Sequence, residues 1–153
     1  MSERKNIRIT VGVENAEIIG SDNRALQAAV DYVSTLGGGT VEIGPGRYTM
    51  HDSLHLRSHV DIEGSVEETI LAKADAVESL LVLDGDFGEE QVTLASPDGF
   101  EVGNGITVCD KHSGGFHVVV GTILWKEGDV FGISKLMGSD YMIANGARAA
   151  TAY

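Results

Sequence analysis

Cysteine occurs once, at Cys109, and tryptophan once, at Trp125, in a chain of 153 residues. A lone thiol excludes an internal disulfide and says little about redox compartment. Basic residues are scarce: 11 Lys and Arg stand against 23 Asp and Glu, for a formal charge of −12. They are also scattered, and phosphate binding needs clustered Lys and Arg, so a nucleic-acid partner and an anionic membrane surface are both disfavoured. No apolar run reaches bilayer-spanning length. The N-terminus, Met1 to Asn6, is polar and leads straight into a strand pattern. That predicts no signal peptide, hence a cytoplasmic product or a secreted protein trimmed of its signal. Length bounds the chain at one domain, or one domain with an appended module.

What is present is concentrated in Ser21–Met50. Leu26, Ala29, Val30 and Val33 recur at helical spacing and predict one apolar helix face. Ser21 or Asp22 is placed to cap it, since a short side-chain oxygen accepts a free backbone N–H. Gly37 is placed to end it in the left-handed conformation. The period then drops to two. Val41 and Ile43 alternate with Thr40 and Glu42, then Tyr48 and Met50 with Arg47 and Thr49, as in strands joined by a Pro45-Gly46 turn.

The alternation continues through Leu54 and Leu56, Val60 and Ile62, Ile70 and Ala72, and Leu80 to Leu83. Val41 to Val60, Tyr48 to Ile70 and Leu56 to Leu80 are separated by similar intervals. A loose repeat near twenty-odd residues, with three short strands per period, predicts stacked coils with a continuous inner column.

Several runs carry a family resemblance: Asp22 with Ala25–Asp31, Gly37–Val41, Pro45–Tyr48, and Leu54–Gly64. Together they resemble the N-terminal start of a right-handed parallel β-helix of the pectate-lyase-like superfamily, over roughly residues 7 to 83. The resemblance implies that the helix covers one end of the column. It is specific for fold and not for reaction, because the superfamily spans polysaccharide lyases, polygalacturonase-like hydrolases, epimerases and phage tailspikes. The run Ile7–Val11 departs from the usual Asp-Phe-Gly-Ala-like segment, so the pairing of the first strand is left open.

A different pattern starts near Glu89. Gln91–Ala95, Phe100–Val108, His117–Lys126 and Val130–Ser134 read as strands separated by turns such as Ser96–Gly99 and Glu127–Asp129, a series typical of a small antiparallel barrel or sheet. The expected fold class is therefore mainly β: a capping helix with the first β-helix coils over 1–88, an antiparallel β-rich insertion or appendage over 89–136, and a poorly patterned tail over 137–153.

Candidate chemistry is sparse. His51, His55 and His59 would share a face on a helix and chelate a metal there, but in a strand pattern they span roughly 13 Å, too far for one ion. They read better as outward polar positions, where His55, Arg57 and His59 could touch a sugar. Asp110, Lys111, His112 and His117, around Ser113–Phe116, form the richest local set of ionisable groups and are the candidate substrate-binding residues. A polar hairpin loop is the simpler reading. Cys109 beside them is a nucleophile only with a lowered pKa.

Gly37–Thr40 does not serve as a phosphate loop, because a helix leads into a strand there and not the reverse. Asp84, Asp86, Glu89 and Glu90 match no EF-hand loop and read as an acidic linker. No cofactor is evident, and calcium enters only through the resemblance. Trp125 reads as packing, on the same strand face as Ile123.

Two function classes follow. One is the N-terminal portion of a carbohydrate-active β-helix protein, lyase-like or hydrolase-like, inactive as an isolated chain because no catalytic constellation of the superfamily can be placed on it. The other is a non-catalytic structural, tailspike-like or assembly module. In either case polysaccharide is the implied partner, and an open β-helix end would favour homo-oligomerisation.

Overall fold

Asp22 caps the α-helix, α1 (Asn23–Thr35), accepting hydrogen bonds from the backbone N–H of Arg24 at 3.0 Å and Ala25 at 3.4 Å. Leu26, Ala29, Val30 and Val33 form its buried face, the helical period read from sequence. The computed structural model describes residues 7–113 and 115–151. The protein is mainly β, and its chain divides into two compact units, Met1–Lys73 and Ala74–Tyr153.

The first unit is built from parallel ladders. Strand β1 (Arg8–Gly12) pairs with β2 (Ile18–Ile19) on one side and β3 (Gly39–Ile43) on the other. Strand β3 pairs in turn with β5 (Val60–Gly64), in register from Gly39↔Val60 to Ile43↔Gly64. A second ladder joins β4 (Gly46–Met50) to β6 (Thr69–Lys73), again parallel and in register. The first strand, whose pairing the sequence left open, therefore runs parallel to β3. Between the ladders lies a core of Val11, Val41, Ile43 and Tyr48 with the apolar face of α1.

Here the structure has two strands per period where the sequence predicted three. The stretch around Leu54–Leu56 forms no strand. Its backbone is held by polar side chains of α1. Asn23 accepts from the His51 N–H at 3.0 Å, and Gln27 accepts from the His55 N–H at 2.8 Å while donating to the His55 carbonyl at 3.1 Å. Asn23, Gln27 and Asp31 lie four residues apart, on one row of the helix. Asp31 adds an ion pair to Arg57 at 2.9 Å. Gln27 thus supplies the donor and acceptor that a neighbouring strand would otherwise provide. Gln27→Ala is expected to lower stability by about 1–2 kcal/mol and to speed hydrogen exchange at the His55 amide; unchanged protection there would refute the clamp.

The second unit is antiparallel throughout. Strands β7 (Glu78–Leu80), β8 (Gln91–Thr93), β9 (Gly105–Cys109), β10 (Val119–Glu127), β11 (Val130–Ile133) and β12 (Arg148–Thr151) form one sheet in the order β7-β12-β9-β10-β11-β8. The two outer strands then meet. Leu81 bridges Leu94, the Val82 N–H donates to the Thr93 carbonyl at 3.0 Å, and the Ala95 N–H donates to that of Leu80 at 2.9 Å. The sheet therefore closes edge to edge, barrel-like, which removes exposed strand edges. Leu94, Phe100, Ile106, Val108, Ile123, Phe131 and Met137 are among the residues that fill it.

Two expectations change here. Leu80 belongs to this antiparallel sheet and not to a parallel coil. The segment 137–153, read as poorly patterned, contributes β12 between β7 and β9. The sheet thus includes strands on both sides of the 89–136 stretch.

Candidate functional site

The loop after β9 holds the residues singled out from sequence. Asp110 is buried, and its carboxylate turns back onto backbone: Oδ1 accepts from the N–H of His112 at 2.8 Å and Ser113 at 2.9 Å, Oδ2 from that of Met142 at 3.4 Å. Burial alone would push its pKa up. The backbone donors of His112, Ser113 and Met142, with the nearby His112 charge, outweigh it and hold the carboxyl below the usual range. Ser113 Oγ closes the turn, accepting from the Asp110 N–H at 2.6 Å.

Tyr141 secures the other end of the loop. It is buried, and its hydroxyl donates to the His117 carbonyl. Burial, then the charges of Asp110 and Cys109, push its pKa up, so it stays a phenol and a donor. Lys111, His112 and His117 have exposed side chains, and the Lys111 N–H donates to the Asn145 carbonyl at 3.1 Å. Gly114 lies outside the described residues. Of the four candidates, then, Asp110 shapes the loop and the other three line its outside.

The lowered carboxyl of Asp110 sets a pH dependence. Its contribution to stability is complete above the unfolded carboxylate value of about 3.9 and is lost as pH falls through the lower folded value. Asp110→Asn should remove that part of the acid transition and leave the unit less stable at neutral pH, measured as urea midpoints between pH 2 and 7. An acid profile identical to that of the parent chain would contradict this role.

The three histidines of the first unit are separated by function. His51 meets Asn23 through its backbone, the His55 ring meets buried Asp52 at 3.0 Å, and His59 sits at φ 65 in the turn before β5. Among the described residues, no group of three or more His, Cys, Asp or Glu side chains is arranged to hold a metal ion. Asp84 Oδ1 accepts from the Ile143 N–H at 2.6 Å, and the Asp86 N–H donates to Glu89 at 3.3 Å, so these acids serve local turns.

A polar row that the sequence reading missed crosses the outer face of the parallel ladder. Glu42 on β3 lies directly beside Glu63 on β5. Like charges in register repel. Arg8 on β1 offsets this by forking, with Nε to Glu42 and a terminal nitrogen to Glu63, both at 2.8 Å. The two carboxylates push Arg8 further towards its charged form. Two surface recesses of about 360 Å³ each adjoin this row and share Glu42, Gly44 and Pro45. The signal was the recurrence of Glu42 and Glu63 at the coil spacing, which means nothing until the register is known.

Trp125 also departs from its reading. Strand β10 pairs Ile123 with Ile133 and Trp125 with Gly132, leaving Leu124 as an extra residue. This is a β-bulge, and it breaks the alternation. Ile123 stays buried, whereas Leu124 and Trp125 both reach the surface.

No family model and no curated protein sequence matches this chain. Solved structures similar to it include the tailspike gp61 of Pseudomonas phage phi297, at 16% identity and TM-score 0.46 over 83% of this chain. The gp54 tailspike of Acinetobacter baumannii bacteriophage AP22, solved in complex with A. baumannii capsular saccharide, aligns over 87% of this chain at 8% identity and TM-score 0.44. A third is the tailspike gp49 of Pseudomonas phage LKA1, at 19% identity and TM-score 0.42 over 83% of this chain. The chain spans about a quarter of each of these proteins: 24%, 25% and 24% of their lengths.

Proposed function

We propose that residues 7–73 are the capped start of a parallel β-helix, and that this chain serves a carbohydrate-directed protein as a binding and scaffold module without turning substrate over itself. The observation that carries the reading is the pair of in-register parallel ladders, β1-β3-β5 and β4-β6, with α1 packed on their apolar side. A stack of this kind presents polar side chains outward along its axis, as Arg8, Glu42 and Glu63 do. The likeness of Ala25–Asp31, Gly37–Val41 and Leu54–Gly64 to the pectate-lyase-like superfamily points the module to polysaccharide. On the second unit, Lys111, His112 and His117 are the loop side chains assigned to contact it. The test is a panel of neutral and acidic oligosaccharides probed for binding and for turnover. Binding without release of unsaturated or reducing ends is expected. Sustained release from pectate or alginate would make the chain an enzyme, and failure to bind any member of the panel would remove the carbohydrate assignment.

An assembly role is favoured by two further observations. Core-side residues of the first coil, Val41 and Tyr48, are 0% exposed, whereas Leu71, which pairs with Tyr48 in register, is 46% exposed. β5 and β6 also each keep one edge unpaired among the described residues. Sedimentation at rising concentration reads this directly: self-association supports an assembly role, and a monomer throughout counts against it.

A further inference from the structure

The bulge in β10 does more than expose a side chain. A Cβ built on Gly132 would run into Nε1, Cε2 and Cδ1 of Trp125, so the indole lies flat against that glycine. Glycine is the one residue whose lack of a side chain allows this seat, an aromatic ring covering a strand glycine opposite it. Trp125 is nevertheless 43% exposed. The ring is thus seated against the sheet at Gly132 while a large part of the residue stays in solvent.

We infer that Trp125 is a stacking platform for a neutral pyranose ring on the outer face of the second unit. The inference rests on the carbohydrate reading above and gives it a place. An indole held on one side presents a rigid, electron-rich surface at little entropic cost, which suits the C–H face of a sugar. Polar groups needed to orient a ring lie alongside in register. Gln91 on β8 pairs with Gly132 on β11, in the same cross-strand row as Trp125, and Glu127 follows two residues on along β10. Both are exposed. The amide of Gln91 offers donors and an acceptor, and Glu127 accepts from hydroxyls. Local and overall negative charge set the preference. Glu127, together with the chain's −12, disfavours uronate polymers and leaves neutral hexoses as the ligand class.

Since Trp125 is the sole tryptophan, its emission reports on this position alone. Titration with maltotriose, cellotriose and galactotriose, with trigalacturonate as the acidic counterpart, should give a saturable change in emission for at least one neutral sugar and none for the uronate. Gly132→Ala keeps the fluorophore but displaces the ring, and should weaken binding roughly three- to tenfold, the scale of one aromatic contact. Trp125→Phe, followed by calorimetry, should weaken it less than Trp125→Ala; both sit at a surface position, and circular dichroism checks the fold of each. If the panel binds the chain while tryptophan emission stays unchanged and Trp125→Ala binds as the parent does, the platform is wrong and the carbohydrate reading stands. If no sugar binds by calorimetry, both fall.

Discussion

Phe131→Ala is expected to cost about 3–5 kcal/mol, enough to leave the second unit largely unfolded near body temperature. Phe131 is fully buried on β11 and stacks obliquely on Phe100, with ring centroids 5.9 Å apart at 56°. Its ring also underlies the Lys126 ammonium, 5.4 Å from the centroid. Lys126 is fixed there by the Phe100 carbonyl at 3.0 Å and Glu101 at 3.1 Å. Truncation therefore leaves a large cavity in a barrel too small to collapse around it, and it strips the aromatic face from a half-buried cation. Urea denaturation followed by Trp125 emission reads this unit directly, because Trp125 lies on the neighbouring strand. A loss below about 1 kcal/mol would mean that the interior repacks freely, against the close packing argued here.

The second large effect concerns Gly38. The helix ends in a glycine run because its successive residues need backbone that side chains resist: Gly37 has φ 98 and Gly38 has φ 110. Their surroundings differ. A Cβ on Gly37 meets nothing within 4 Å, whereas one on Gly38 would strike the His59 carbonyl oxygen and lie 2.8 Å from His59 Cβ. Gly37→Ala thus carries only the conformational penalty, about 1 kcal/mol. Gly38→Ala adds a clash with backbone that is itself engaged, since the His59 carbonyl accepts from the Gly39 N–H at 3.0 Å. Its expected cost is about 3 kcal/mol. The difference between the two variants in urea midpoint, by circular dichroism, isolates the steric part. Equal losses would show that strain alone governs this turn.

How much of this was legible depended on whether partners were local. α1, β3, β4, β5 and β6 could be read because each carries its own period and the strand spacing recurs along the chain. The 51–57 stretch could not, since Leu54 and Leu56 alternate like a strand while the bonds that hold it come from Asn23 and Gln27. β12 was missed because Arg148-Ala149-Ala150-Thr151 has weak strand propensity and gains its place only by pairing with β7 and β9. The loop around Asp110 stood out by its ionisable residues. That the Asp110 carboxylate accepts from the N–H of His112 and Ser113 is a matter of turn geometry, which composition does not encode. The outward turn of Trp125 hinged on one bulged residue, and a one-residue slip reverses every facing beyond it.

Two residues of the second unit, 74 positions apart in sequence, meet at one place. Val77, just before β7, donates its N–H to Thr151 Oγ1 at 3.0 Å, and the Thr151 N–H, at the end of β12, donates back to the Val77 carbonyl at 2.9 Å. A segment whose two boundary residues are tied side by side is portable. It can be grafted into a surface turn of another scaffold, or excised from one, while the host bridges only a strand's width. By the same logic its connectivity is rewritable: joining residues 77 and 151 and opening the turn at Gly128 would give a permuted chain with the same strand order.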